Sequence, residues 1–244
     1  MSFSHNWRGT VGIIIPTKAS GSLEELIPIL PKGIGVIPLF NRIMHGTIAE
    51  FTDAMEVYEE RVAELAADGV DLIHPSGTPP FMLRGYDAER DIVMGWQERY
   101  GIPVFTSGMN QVRAMKALGI RKFIGIGYDF EDPSITVKYF SDAGFEVLSL
   151  GERFPIRWED VGTLSATQVY AHIKTIFLAH PGAEGIYIQG SKWRLLDIIE
   201  TVERDLGVPV VHPVAARCWE IQRCLNVRQP VMGCGRLLSE MPDG

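Results

Sequence analysis

Two glycine–hydroxyl pairs, Gly77-Thr78 and Gly190-Ser191, close apolar runs that are built and spaced alike. The first pair lies in GVDLIHPSGTPP (Gly69–Pro80). After a helix-like stretch comes GIPVFTSGMNQVRAMKALGI (Gly101–Ile120). The second pair lies in GAEGIYIQGSKW (Gly182–Trp193), and GVPVVHPVAARCWEIQRCLNV (Gly207–Val227) follows. A glycine at a strand end lets backbone N–H groups turn toward a ligand without interference from a Cβ. The hydroxyls of Thr78, Ser107 and Ser191 and the Tyr128 phenol add neutral donors. Such a cluster suits a carboxylate, and suits better still the enediolate formed when a carboxylic acid becomes carbanionic at its α-carbon. Any one of these loops could be a plain turn; two of them in a duplicated frame point to a carboxylate cradle.

The acid–base candidates are few. His212 ends the run after the second signature, and its pKa range suits proton transfer, although a histidine there can equally cap or pack. Lys192, expected in the first turn of a helix, would need burial to lower its pKa before it could serve. Ser191 fits a donor better than a nucleophile. Lys18, after Pro16 and Thr17, could meet a second carboxylate or remain solvated. His74 reads as structural. Cys218, Cys224 and Cys234 form no disulfide framework and lack metal-ligand spacing. Packing is the default for the two in ARCWEIQRCL, and none of the three is expected to donate the proton. The segment YDFED (Tyr128–Asp132) reads as a helix cap before Pro133, with Tyr128 toward the ligand; no metal site is expected.

The elements that must carry these residues alternate. Strands are expected at Thr10–Pro16, Gly35–Phe40, Val70–Pro75, Pro103–Ser107, Lys122–Tyr128, Glu146–Leu150, Gly185–Gln189 and Pro209–His212. Several are short continuous apolar runs, as in strands covered on both faces. Helices are expected at Ile48–Ala67, Asp87–Tyr100, Gln111–Leu118, Ser134–Ala143, Ala166–His180 and Lys192–Leu206. This alternation predicts an α/β fold of mostly parallel sheets with right-handed crossovers, binding ligands at the carboxyl ends of the strands. The internal repeat predicts two pseudo-symmetric lobes facing across one cleft, with residues 8–118 and 212–240 in lobe one and 119–211 in lobe two. A net charge of −7 over 244 residues argues against a nucleic-acid partner. No apolar run approaches the roughly 18 residues of a membrane span. The opening MSFSHNWRGT lacks the layout of a secretory leader, so a cytoplasmic protein is expected. The oligomeric state is open.

The order Pro16, Gly77-Thr78, Tyr128, Gly190-Ser191 and a closing GCGRL (Gly233–Leu237) resembles the aspartate/glutamate racemase superfamily. It is most similar to the arylmalonate decarboxylase and maleate isomerase branch. The resemblance spans about residues 10–238 and is densest at LIHPSGTPPFMLRGYDA, RAMKALGIRKFIGIGY and LLDIIETVERDLGVPVV. It implies a fold of two lobes with the site in the cleft between them, and chemistry without a cofactor. Racemases of this kind carry a cysteine at both signature strand ends, and the decarboxylase keeps the second only; this chain has Gly77 and Gly190 in those slots. Two-base racemisation needs an ionisable group on each face, and thiol addition needs a nucleophile, so both are disfavoured. Decarboxylation asks less of a thiol. It requires one carboxylate held by donors and the other pressed on apolar walls, for which Leu39-Phe40, Phe81-Met82 and Met109 are candidates. The expected enzyme is therefore a lyase decarboxylating a small malonate-like acid. The alternative is a hydrolase or isomerase of a small carboxylate or amide using His212 or Lys192. The expected catalytic set is Thr78, Tyr128, Gly190, Ser191 and His212; Pro16, Thr17, Lys18, Gly77, Pro79, Ser107 and Lys192 are expected to bind substrate.

Overall fold

The computed structural model describes residues 6–17, 21–127, 132–151, 158–193 and 195–244. Its elements run β1 (Gly9–Ile15), α1 (Ser22–Ile29), β2 (Ile34–Phe40), α2 (Ile48–Asp68), β3 (Leu72–Pro75), α3 (Pro79–Met82), α4 (Tyr86–Tyr100), α5 (Ser107–Ala117), β4 (Lys122–Ile126), α6 (Pro133–Asp142), β5 (Glu146–Ser149), α7 (Ala166–Ala179), β6 (Gly185–Ile188), α8 (Leu196–Leu206), β7 (Val210–Val211), α9 (Pro213–Cys224) and α10 (Arg236–Glu240). The fold is α/β with two parallel sheets, ordered β2-β1-β3 and β5-β4-β6-β7.

The internal repeat is visible in the backbone. Ile73 N–H donates to Pro103 O and Ile186 N–H to Pro209 O, each at 3.0 Å. Past the strand ends, Ser76 N–H donates to Ile14 O and Gln189 N–H to Ile126 O, each at 2.8 Å. The residues just before the two signature glycines are thus fixed by equivalent bonds. A parallel bridge between Ile73 and Val104 stands where β7 stands in the second sheet.

Local chemistry sets the helices that cover these sheets. The α2 helix opens on a Thr47–Glu50 capping box and stops at Gly69, which is left-handed. Its buried stripe of Phe51, Ala54, Tyr58, Val62 and Leu65 follows helical spacing. Leu65 packs so closely on β1 that a Cβ at Gly12 would stand 2.7 Å from it. Around β4, the rings of Phe123, Phe140, Phe145 and Tyr187 meet edge to face.

Several expected boundaries move. The expected strand Pro103–Ser107 shrinks to the bridge at Val104, and α5 starts at Ser107 rather than at Gln111. The run Ser107–Asn110 has the composition of a loop, yet Ser107, Gly108 and Asn110 are buried, and tertiary packing overrides their weak helix propensity. The α8 helix starts at Leu196, not at Lys192, which lies in the turn ahead of it. Among the described residues no helix is long and apolar enough to cross a membrane, and no group of three or more His, Cys, Asp or Glu could hold a metal ion.

Candidate active site

The turn after β3 is held from several sides. Gly77 has φ +111°, a conformation that L side chains rarely adopt. A Cβ there would stand 2.9 Å from the Tyr58 hydroxyl and 3.2 Å from Pro16, the residue that follows β1. The peptide joining Ser76 to Gly77 is clamped at both ends. Tyr58 Oη donates to Ser76 O at 2.5 Å, and Gly77 N–H donates to Ser107 Oγ at 3.1 Å. With that oxygen accepting, the Ser107 hydroxyl proton is left to donate elsewhere. Thr78 is buried at the start of α3, and its hydroxyl does not cap that helix. Pro79 takes the first helical position, where its missing N–H costs nothing.

The second strand end is built in parallel fashion. Gly190 follows β6 with φ +87°. The carbonyl before it, Gln189 O, accepts from Trp193 Nε1 at 2.7 Å, an aromatic N–H in the role that the Tyr58 hydroxyl takes in the first half. Ser191 and Lys192 lie half-buried in the intervening turn.

His212 is fully buried as the cap of α9. Its Nδ1 accepts from Val214 N–H at 3.3 Å, so Nε2 carries the proton and donates to Trp193 O at 2.9 Å. Burial lowers its pKa to about 4, and the nearby Arg217 charge acts in the same direction. Both ring nitrogens are spent on holding α9 and the Gly190 turn together. In that geometry the neutral ring serves as a cap and as a brace for the turn, with both nitrogens hydrogen-bonded. His74 is likewise buried, bonded through Nδ1 to Phe105 O at 2.8 Å and stacked on the Phe105 ring. Burial and the Arg217 charge hold its pKa well below the usual range, in keeping with a structural role.

Helices α5 and α9 link the two strand ends. Asn110 Nδ2 donates to Ala216 O at 2.9 Å, and Arg113 pairs with Glu220 at 3.1 Å. From α9, the buried Arg217 Nη2 donates to Ser76 Oγ at 2.8 Å, next to Gly77. Burial brings its pKa down to about 10, which leaves it charged at neutral pH. Beside the start of α5, the buried Glu89 accepts a short hydrogen bond from the Tyr139 hydroxyl, and burial raises its pKa to about 7. The cysteines are held as thiols. Burial pushes Cys218 and Cys224 up to about 12, and Cys234 is raised as well.

Pro16, Gly77 and Ser107 therefore meet in one contact cluster, with Thr78 and Pro79 continuing the same turn. Thr17 follows Pro16 at the end of β1. Gly190, Ser191, Lys192 and His212 belong to a second cluster organised by Trp193. Lys18 and Tyr128 lie outside the described residues. Sequence reasoning did not single out Tyr58, Glu89, Tyr139, Gln111 or Arg217. Only for the last two was there a signal, since each stands ten residues past the glycine that opens its copy's second strand, Gly101 and Gly207.

The chain matches the sequence profile of arylmalonate decarboxylase over residues 31–238. It belongs to the arylmalonate decarboxylase family. The arylmalonate decarboxylase of Bordetella bronchiseptica is 23% identical over 250 residues, covering 95% of this chain and 97% of the relative. The crystal structure of a double mutant of arylmalonate decarboxylase in liganded form superposes with a TM-score of 0.84 at 23% identity, over 95% of this chain and 99% of the other. The maleate isomerase Iso from Pseudomonas putida S16 superposes with a TM-score of 0.85 at 19% identity, over 96% and 99% of the two chains. The fold is thus the aspartate/glutamate racemase-like one. Members of the arylmalonate decarboxylase family are enzymes, and this chain is read as one.

Proposed function

We propose that this chain is a cofactor-independent lyase that decarboxylates a small malonate-like acid through an enediolate. The observation that carries the reading is the pair of glycine–hydroxyl strand ends, each with its peptide locked by a buried aromatic donor and neither with a thiol. One carboxylate sits against the N–H and O–H donors of Thr78, Ser107 and Ser191, with Tyr128 as a further donor. Pro16, Thr17, Gly77, Pro79, Gly190 and Lys192 shape the pocket, and the charge of Lys18 suits the substrate's second carboxylate. The second carboxylate leaves as CO₂. The electron pair of the broken carbon–carbon bond passes into the α-carbon and is spread over the retained carboxylate, where the donors meet the developing charge. The α-carbon then takes its proton from solvent, because the remaining thiols sit at raised pKa in other parts of the chain. Hydrolase or isomerase chemistry through His212 finds no support in a ring whose nitrogens are both engaged.

Incubation in D₂O with a panel of aryl- and alkylmalonates, amides and unsaturated diacids tests this, read by CO₂ release and proton NMR. The expected outcome is CO₂ from a malonate, with one deuterium at the product's α-carbon. A prochiral α-methyl-α-arylmalonate should give a nearly racemic acid, since neither face has a fixed thiol. Deuterium exchange without CO₂, or turnover confined to an amide or an unsaturated diacid, would overturn the reading.

A further inference from the structure

Gln111 is buried on α5, and neither its Oε1 nor its Nε2 has a hydrogen-bond partner among the described residues. A buried amide in that state is costly unless something polar meets it. Where it faces follows from its helical neighbours. Residues three and four apart share a helix face, and side chains lean toward the helix N-terminus. Gln111 therefore projects between Ser107 and Gly108, one turn back. Ser107 Oγ accepts from Gly77 N–H, at the first strand end. A Cβ at Gly108 would stand 2.5 Å from the Tyr139 hydroxyl on α6, a helix that packs on β5 of the second sheet. The same α6 carries Thr136, whose hydroxyl accepts from Gln189 Nε2 at 3.5 Å, one residue before Gly190. The duplicated frame agrees. Arg217, at the matching position of α9, crosses to Ser76 of the opposite copy, one residue before Gly77. The unpaired amide thus lies on the floor between the two signature strand ends.

An apolar substituent on the substrate would leave that amide unpaired. The apolar wall expected at Phe81-Met82 is also taken up by the core. Phe81 makes ring contacts with Tyr58 and Trp96, and Met82 is buried. A glutamine amide offers a donor and an acceptor side by side. A carboxylate only accepts and leaves Oε1 unmet, whereas a hydroxyl or a carboxamide answers both. We propose that Gln111 is a specificity-determining residue whose amide pairs with an uncharged hydroxyl or carboxamide on the α-carbon of the acid, so that polar-substituted malonates are preferred to aryl-substituted ones. The inference rests on the decarboxylase reading above and names the substituent. A site that hydrogen-bonds a substrate group rejects the analogue lacking it far more strongly than an apolar pocket rejects a missing methylene.

Two matched pairs of product-like acids, which bind without losing CO₂, test this by NMR-detected titration. Glycolate is set against propanoate, and malonamate against 3-methylbutanoate; within each pair a polar group replaces methyl groups of similar size. In the wild-type chain the polar member of at least one pair should bind at least about tenfold tighter. Gln111→Met should bring that pair to within about twofold, chiefly by weakening the polar acid. Without ligand, Gln111→Met should be more stable than wild type in urea, because it removes an unpaired buried amide. A variant that is less stable, or does not fold, shows an amide already paired within the protein and overturns the proposal. Equal affinities within both pairs in wild type, or a preference that survives Gln111→Met, overturn this proposal alone. A chain that binds none of the four acids overturns the functional reading and this inference with it. One that prefers the polar acids yet releases no CO₂ from hydroxymalonate or any other malonate overturns the decarboxylase reading and sustains the role of Gln111.

Discussion

At the scale of single residues, the signature glycines do more than mark absent thiols. Gly77 is required twice over, by its positive φ and by the Tyr58 hydroxyl and Pro16 ring standing where a Cβ would go. Gly77→Ala should therefore destabilise the fold by about 2 kcal/mol, the sum of a backbone penalty of about 1–2 kcal/mol and a local clash. Urea denaturation checks this, and a variant as stable as wild type would refute the geometry. The glycines and hydroxyls were legible as sequence because they recur at fixed spacing. Tyr58 was not, since on α2 it is one member of a buried stripe and nothing local distinguishes the phenol that reaches Ser76 O.

At the scale of elements, the decisive feature is where α5 and α9 begin. Each starts directly after the second apolar run of its copy, so side chains from its first turns come back to the strand ends. The α9 start was within reach of sequence reasoning through His212-Pro213, a cap followed by proline. The α5 start was hidden by the Ser-Gly-Met-Asn composition. Glu89 lies against that start, with its folded-state pKa raised from 4.5 to about 7. The unfolded chain ionises this group first, so Glu89 lowers stability as pH rises from about 4.5 toward 7. Glu89→Gln, which keeps an acceptor for the Tyr139 hydroxyl, removes that slope. Its stability relative to wild type should grow across this range in parallel urea melts, and a difference that stays flat with pH would contradict the buried-acid assignment.

At the scale of the whole molecule, the two sheets are joined through a polar seam. It comprises Asn110 with Ala216 O, Arg113 with Glu220, and Arg217 with Ser76. Two buried histidines stand beside it with pKa values depressed from 6.5, His212 to about 4 and His74 well below its usual range. Their contribution is fully present above about pH 6.5 and is lost as pH falls toward about 4, where the unfolded chain binds protons that the folded one refuses. In the Glu89→Gln background, which removes the carboxyl with the larger opposing shift and leaves the smaller one of Glu203, stability should drop over that interval in denaturant midpoints. A midpoint that holds constant down to about pH 4 would show that the histidines are not the buried neutral groups described.

The sequence by itself determined the alternation of strands and helices, the duplicated order, and the glycine–hydroxyl strand ends. Each is written in local composition or in a repeat that comparison of the chain with itself reveals. What only the tertiary structure decided is what those strand ends are worth chemically. Hydrogen bonds and burial depend on partners distant in sequence: 18 residues separate Tyr58 from Ser76, and 141 separate Ser76 from Arg217. They made His212 a buried helix cap, locked the peptide before each signature glycine, and set the buried Arg217 beside the first of them. No spacing rule could supply that, because charge and hydrogen-bond geometry are fixed by the packing of the two halves.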